Sequence, residues 1–389
     1  MLPSVESSTR KILSVLLLAA AIAGCSSNKD KEQEPSPLPE FKEEQRFDKV
    51  WSHGVGNGQG KLYNRLAPAV SGDMIVAAAA NGDVEAFQRV TGRSLWDADL
   101  DVPISGGVGI GCDLVFVGSD DGHLYALSAA DGKRQWKVQM EGQVLSPPQC
   151  AGGIVAVMTF NGHVVGLDAS TGSKRWSYVS TNPVLTLRAS SAPLIYQSAV
   201  LAGFASGKAA ALDLDSGKPL WDARIGTSQG SSEIERQIDI AGDLLLSDDV
   251  LYVVSYQGRL VALDVHSGRR LWERGASSYV GMSEGFNNIY VAGAKGDITA
   301  FAKNDQGVRW EQTALSRRKL SGTATWNNYV AVGDFEGYVH LLSQVDGHFV
   351  ARERVDSDGV RVAPLVVEDM LYVYGNSGKL AAYRLVEKK

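Results

Sequence analysis

The chain has 389 residues, six of them histidine and three cysteine, the side chains best suited to hold a metal or attack a carbonyl. The histidines are scattered, and none has the clustered spacing of a metal site. His123 and His163 occupy the same turn of two consecutive repeats, which marks them as solvated turn residues. Asp168, Asp213 and Asp264 are candidate acids, but they also recur at one repeat position, and a turn hydrogen bond explains them better. Gly106-Gly107-Val108-Gly109-Ile110-Gly111 imitates a phosphate loop. No helical pattern follows it, so small residues on a crowded inner strand are expected instead. Trp96-Asp97 and Trp221-Asp222 spell a WD pair without the phase or the Gly-His partner of WD40 repeats. No catalytic residue, cofactor or metal site is expected.

Cys25 is different. Arg10 and Lys11 precede a short apolar run, Ile12 to Ala23, which ends Ile22-Ala23-Gly24-Cys25-Ser26. A charged start, a short apolar stretch and small residues describe a secretory leader over 1–24. The stretch at Cys25 resembles the lipobox of bacterial lipoproteins, which implies that Cys25 carries lipid. Each buried methylene contributes about 0.8 kcal/mol, so several acyl chains hold firmly where one does not. Ser26, with no Asp after the Cys, implies an outer-membrane address. Residues 25–46 are rich in Lys, Glu, Gln, Ser and Pro and read as a lipidated flexible tether. Cys112 and Cys150 remain, one repeat apart. They could pair in an oxidising compartment, but two separate buried thiols are expected. The net charge is −6, and a leader carrying Arg10, Lys11 and Glu6 would leave −7 on its removal. An acidic chain without a basic block argues against nucleic acid.

The groups just weighed sit on a phrase that repeats. QGRLVALDVHSGRRLW (257–272) is one of six copies whose first Gly falls at Gly82, Gly122, Gly162, Gly207, Gly258 and Gly296, with two divergent copies at Gly337 and Gly378. The spacings are 40, 40, 45, 51, 38, 41 and 41 residues, one supersecondary unit per repeat. Asn-Gly and Asp-Gly at 81–82, 121–122 and 161–162 suit tight hairpins. Four short strands use about 40 residues. The expected fold is all-β, an eight-bladed β-propeller of four-stranded antiparallel blades over 47–389. The last copy runs out before its outer strand, and FDKVWS supplies one at the start. The ring should therefore close by pairing N- and C-terminal strands in one blade. Trp51, Trp96, Trp136, Trp176, Trp221, Trp272 and Trp310 would then take equivalent places. Ala351 stands in the slot of the seventh copy, and Trp326 is out of phase.

The phrase A-x-D-x-x-[ST]-G-x-x-x-W, seen in Ala262 through Trp272, resembles the tryptophan-docking motif of pyrroloquinoline-quinone-type propellers. That resemblance implies fold rather than function. Quinoprotein dehydrogenases add adjacent cysteines and large loops bearing Ca²⁺ ligands. This chain has no adjacent cysteines and little length for such loops, so a periplasmic quinoprotein or quinone-binding sensor is the alternative, not the expectation.

If the repeat is scaffold, function belongs where it breaks. Trp176 to Trp221 spans 45 residues and Trp221 to Trp272 spans 51, and the additions fall in 177–193 and 223–243. Such insertions map to loops on one face. The first offers Leu185, Leu187 and Arg188. The second offers Glu233, Glu235, Arg236 and Asp239. Exposed Leu with Arg suits a docking patch, and Leu185 and Leu187 equally suit the core side of a strand.

With L-T-L-R-A-S-S-A-P at 185–193 and S-S-E-I-E-R at 231–236, the chain resembles the BamB family, lipoprotein subunits of the β-barrel assembly (BAM) complex at the Gram-negative outer membrane. The resemblance implies a non-enzymatic scaffold on the periplasmic side. Its L-x-L-R loop, here Leu185, Leu187 and Arg188, would dock on the POTRA domains of BamA. Asp239 matches the first of a nearby acidic pair. Ala241 stands in the second place, with Asp243 close by. Blade edges or a concave face could serve unfolded outer-membrane proteins, though no residue requires it.

Overall fold

The computed structural model describes residues 34–388, apart from 182, 184, 227–230, 233, 305 and 306. The leader, Cys25 and the tether as far as residue 33 therefore lie outside the described residues. Ser36–Lys389 is one compact unit, and no α-helix occurs among the described residues.

Eight four-stranded antiparallel sheets make up this unit. The first seven blades are continuous in sequence, over 69–99, 104–139, 149–179, 194–224, 245–275, 282–312 and 323–354. In the third, Gln149–Ala151, Ile154–Met158, His163–Asp168 and Lys174–Val179 pair in order. The eighth joins 365–387 to Gln45–Gly54, with Gln45 opposite Glu387 and Gly54 opposite Lys379. The expected closure is present, and it begins two residues earlier than the sequence suggested. The middle strands read as apolar runs because both faces pack on neighbouring blades. Ile154–Met158 is buried throughout, whereas four outer strands, among them Lys174–Val179, share one pattern in which the Trp position is buried and the two before it are exposed.

A bulge places each Trp. The register shifts at the same point in every blade, between Gly166 and Leu167 in the third, and a bulge re-aims the side chain it carries. The residue opposite each in-phase Trp is Ala or Gly, for example Ala126 opposite Trp136 and Gly166 opposite Trp176. Six of these indoles donate to a backbone carbonyl of the next blade at 2.8–3.0 Å. Each lies on a turn glycine there. A Cβ on Gly172 would sit 2.7 Å from the Trp136 ring, and φ at Gly172 is +72°. Trp51 does the same on Gly92 and the Arg89 carbonyl, so the closing blade is stapled to the first.

This geometry explains the missing Trp of the seventh copy. The platform is the turn between the third and outer strands of the following blade. The eighth blade has none, because its outer strand comes from the other end of the chain. Ala351 therefore fills the slot, and Leu341 stands opposite it where the other blades have Ala or Gly. Trp326 is fully buried and donates to the Asp369 carbonyl of the eighth blade at 2.9 Å.

Cys112 and Cys150 are joined, with 2.01 Å between sulfurs and 5.8 Å between Cα atoms, which overturns the expectation of two thiols. Cys112 and Asp113 form a tight turn at φ 53° and 60° that sets Cys112 beside the inner strand of the next blade. Repeat spacing alone did not reveal that approach. The glycine run lies on an inner strand, where a Cβ on Gly106 would meet the Val144 carbonyl at 2.0 Å. The recurring aspartates are turn residues. Asp168 accepts from the Ser170 and Thr171 amides, Asp213 from Ser216 and Asp264 from Ser267.

Candidate docking face

The connectors that lead from an outer strand to the next inner strand lie with the hairpin turns between second and third strands. Phe160 donates to the Gln143 carbonyl and Tyr256 to the Asp239 carbonyl, both at 2.8 Å. The two long insertions are neighbouring connectors of this kind, and the Leu187 amide of one donates to the Asp239 carboxylate of the other.

Leu185 is exposed (41%) and Asp239 is covered (1%). Leu187 and Arg188 are half-buried. They line a depression of about 330 Å³ with Tyr63, Ala189, Tyr256, Tyr279 and Lys319. Arg188 donates to the Gln143 side chain at 2.9 Å and lies 3.5 Å from the Asp120 carboxylate. The second blade, the connector that follows it and the connector after the fourth blade thus hold the Leu-x-Leu-Arg stretch. A guanidinium fixed this way is pre-organised, which lowers the ordering cost of binding.

Asp239 supports this loop from beneath and does not reach the surface. Burial raises its carboxyl to about 6, against the opposing pull of the Leu187 amide. Ala241, in the family's second acidic place, is itself buried, and its carbonyl accepts from Arg65. Asp243 takes the Ala192 amide at 3.1 Å. Two carboxylates of one connector therefore cap amides of the other.

Glu235 is used within its own turn. It accepts the Ser231 and Ser232 amides at 2.8 and 3.1 Å, while its own amide donates to the Ser232 hydroxyl at 3.3 Å. This is a reciprocal capping box, and those amides lower the Glu235 carboxyl. Arg236 donates to the Ser231 carbonyl. Glu233 lies outside the described residues. The sequence reading overlooked Ile234, the most exposed large apolar residue of these loops (66%), together with Leu62, Tyr63 and Phe335. An apolar residue alone in the polar run 227–237 was the available signal for Ile234. Nothing in the sequence linked residue 63 to residue 187.

His123 lies 2.9 Å from Asp121, and no group of three or more metal-ligating side chains occurs among the described residues.

The family profile described as "Outer membrane protein assembly factor BamB" matches residues 80–312 and 294–386. The protein of that name from Pseudomonas aeruginosa is 63% identical over 375 residues, 96% of this chain and 99% of its own. The crystal structure of BamB from Moraxella catarrhalis superposes with a TM-score of 0.80 at 29% identity, over 87% of this chain and all of that one. A quinohemoprotein alcohol dehydrogenase from Pseudomonas putida HK5 reaches 0.70 at 15% identity, over 87% of this chain and 76% of its own, a likeness of fold alone. This chain belongs to the family of the outer membrane protein assembly factor BamB.

Proposed function

We propose that the ring is a rigid adaptor that docks on the POTRA domains of BamA through Leu185, Leu187 and Arg188. Cys25 holds it by lipid at the periplasmic face of the outer membrane. The observation that carries the reading is the loop itself. An exposed leucine, a second leucine at a shallow depression and an arginine held by two other side chains form one surface. Arginine and tyrosine are enriched in binding hot spots, and Arg188 shares the depression with Tyr63, Tyr256 and Tyr279. Asp239 belongs to this reading as the buried support beneath the loop, Asp243 as an exposed acceptor for the Ala192 amide, and Glu235 as the cap of the adjoining turn.

The test is co-purification. Leu187→Ala with Arg188→Ala should reduce recovered BamA at least about tenfold, equivalent to about 1.4 kcal/mol, while the unfolding midpoint stays near that of the parent. Undiminished recovery would contradict the docking site. The same variant is expected to stay with the membrane fraction, and Cys25→Ala to leave it.

A further inference from the structure

The outer strand of the seventh blade departs from its counterparts. In other blades the two residues before the Trp position are exposed, among them Leu95 (41%), Leu220 (56%) and Leu271 (39%). In Phe349–Arg354 the equivalent pair, Phe349 and Val350, is buried at 7% and 0%. Phe349 is covered by Phe41, within residues 36–44, a stretch the sequence assigned to the free tether, while Val350 packs in one cluster with Phe47 of the eighth blade. The Phe41 ring stacks on Phe349 at 5.6 Å, and the Glu44 amide donates to the Val350 carbonyl at 2.9 Å.

Two arginines grip this stretch by its backbone. Arg318 donates to the Ser36 carbonyl at 3.0 Å and Arg352 to the Pro39 carbonyl at 3.1 Å, with the Arg352 guanidinium 5.4 Å from the Phe41 ring. Arg318 is itself buried and anchored by Asp334 at 2.8 Å and by Glu336. The Ser36 amide donates to the Ser316 carbonyl at 3.0 Å. Phe349 of the seventh copy is thus fitted to an occupant that the other edges lack.

We propose that the outer edge of the seventh blade is a binding surface for the chain's own tether, and that residues 36–44 dock there to set where the anchor leaves the ring. The proposal rests on Cys25 being the anchored residue. Ser36 meets Ser316 and Arg318, which belong to the connector between the sixth and seventh blades and share the depression's face through Lys319. Gln45 starts an outer strand that runs toward that face, so Gln45 itself lies at the far one. Docking therefore moves the exit point from the far face to the docking face. It also shortens the leash. Eleven residues from Cys25 to Ser36 span at most about 40 Å, and twenty to Gln45 about 70 Å. A short leash from the docking face keeps that face toward the membrane.

The test uses full-length lipidated protein in vesicles and the variant Phe41→Ser with Arg352→Ala. Trypsin cleavage after Lys42 should quicken at least tenfold in the variant. Fluorescent labels at Lys61 on the docking face and Asp131 on the opposite face report transfer to a headgroup dye. In the parent the Lys61 label should transfer more strongly, and in the variant that difference should fall by half or more. Unchanged cleavage, or faster cleavage with an unchanged difference, would overturn the proposal. A Cys25→Ala control that stayed on the vesicles would instead sink the anchor reading, and the cleavage rate would still report on the docked stretch.

Discussion

At the scale of single residues, the proposed docking loop is shaped by a buried carboxylate that a partner would not touch. The Asp239 carboxyl stands at about 6 because burial disfavours its charge. The folded chain therefore holds this proton more tightly than the unfolded chain, and the stability this confers is complete below about pH 4 and lost as pH rises through 6. Asp239→Asn keeps an acceptor for the Leu187 amide without the charge. It should stabilise the protein by about 1–3 kcal/mol at pH 7 and by much less at pH 4, read as urea unfolding at both pH values. An equal effect at the two would mean that the carboxyl titrates normally. The sequence placed Leu185, Leu187, Arg188 and Asp239 in neighbouring insertions, and the structure brings them together. Their division of labour was not legible, because exposure depends on which side of a connector faces the ring. Glu235 and Arg236 read as partner-binding charges, and they also brace their own turn.

The element that repeats is a blade whose Trp lies on the next blade's turn. Two glycines separate the backbone and packing parts of that device. Gly172 has φ +72° and a ring at 2.7 Å from a built Cβ, whereas Gly153 has φ +76° and nothing within 4 Å. Gly153→Ala should cost about 1 kcal/mol for the left-handed backbone alone. Gly172→Ala must also displace Trp136 and should cost about 2–4 kcal/mol, seen in chemical denaturation. Similar losses at both would remove the packing role assigned to the Trp–Gly contact. The blade was legible because its glycines and tryptophans keep one phase for most of the chain. The seventh copy looked divergent, since its substitutions answer to partners far off in sequence. Ala351 lacks a platform in the eighth blade, Phe349 lies under Phe41, and Val350 packs with Phe47.

As a whole, this chain belongs to the family of the outer membrane protein assembly factor BamB, and its ring is held shut in two ways. The first and last strands pair over their length, and Trp51 reaches across to the first blade. Ring number and closure were readable from the repeat count and from the copy that ran out. The Cys112–Cys150 link was not, because spacing along the chain does not give distance between adjacent blades. A ring closed this firmly leaves its irregular connectors as the parts free to specialise. Hydrogen exchange on the ring alone and with the periplasmic domains of BamA tests that claim most directly. New protection should appear at 185–193 and 231–243 and leave the outer strands unchanged. Protection confined to outer strands such as Ser94–Asp99 and Pro219–Arg224, with the two connectors unaffected, would contradict it.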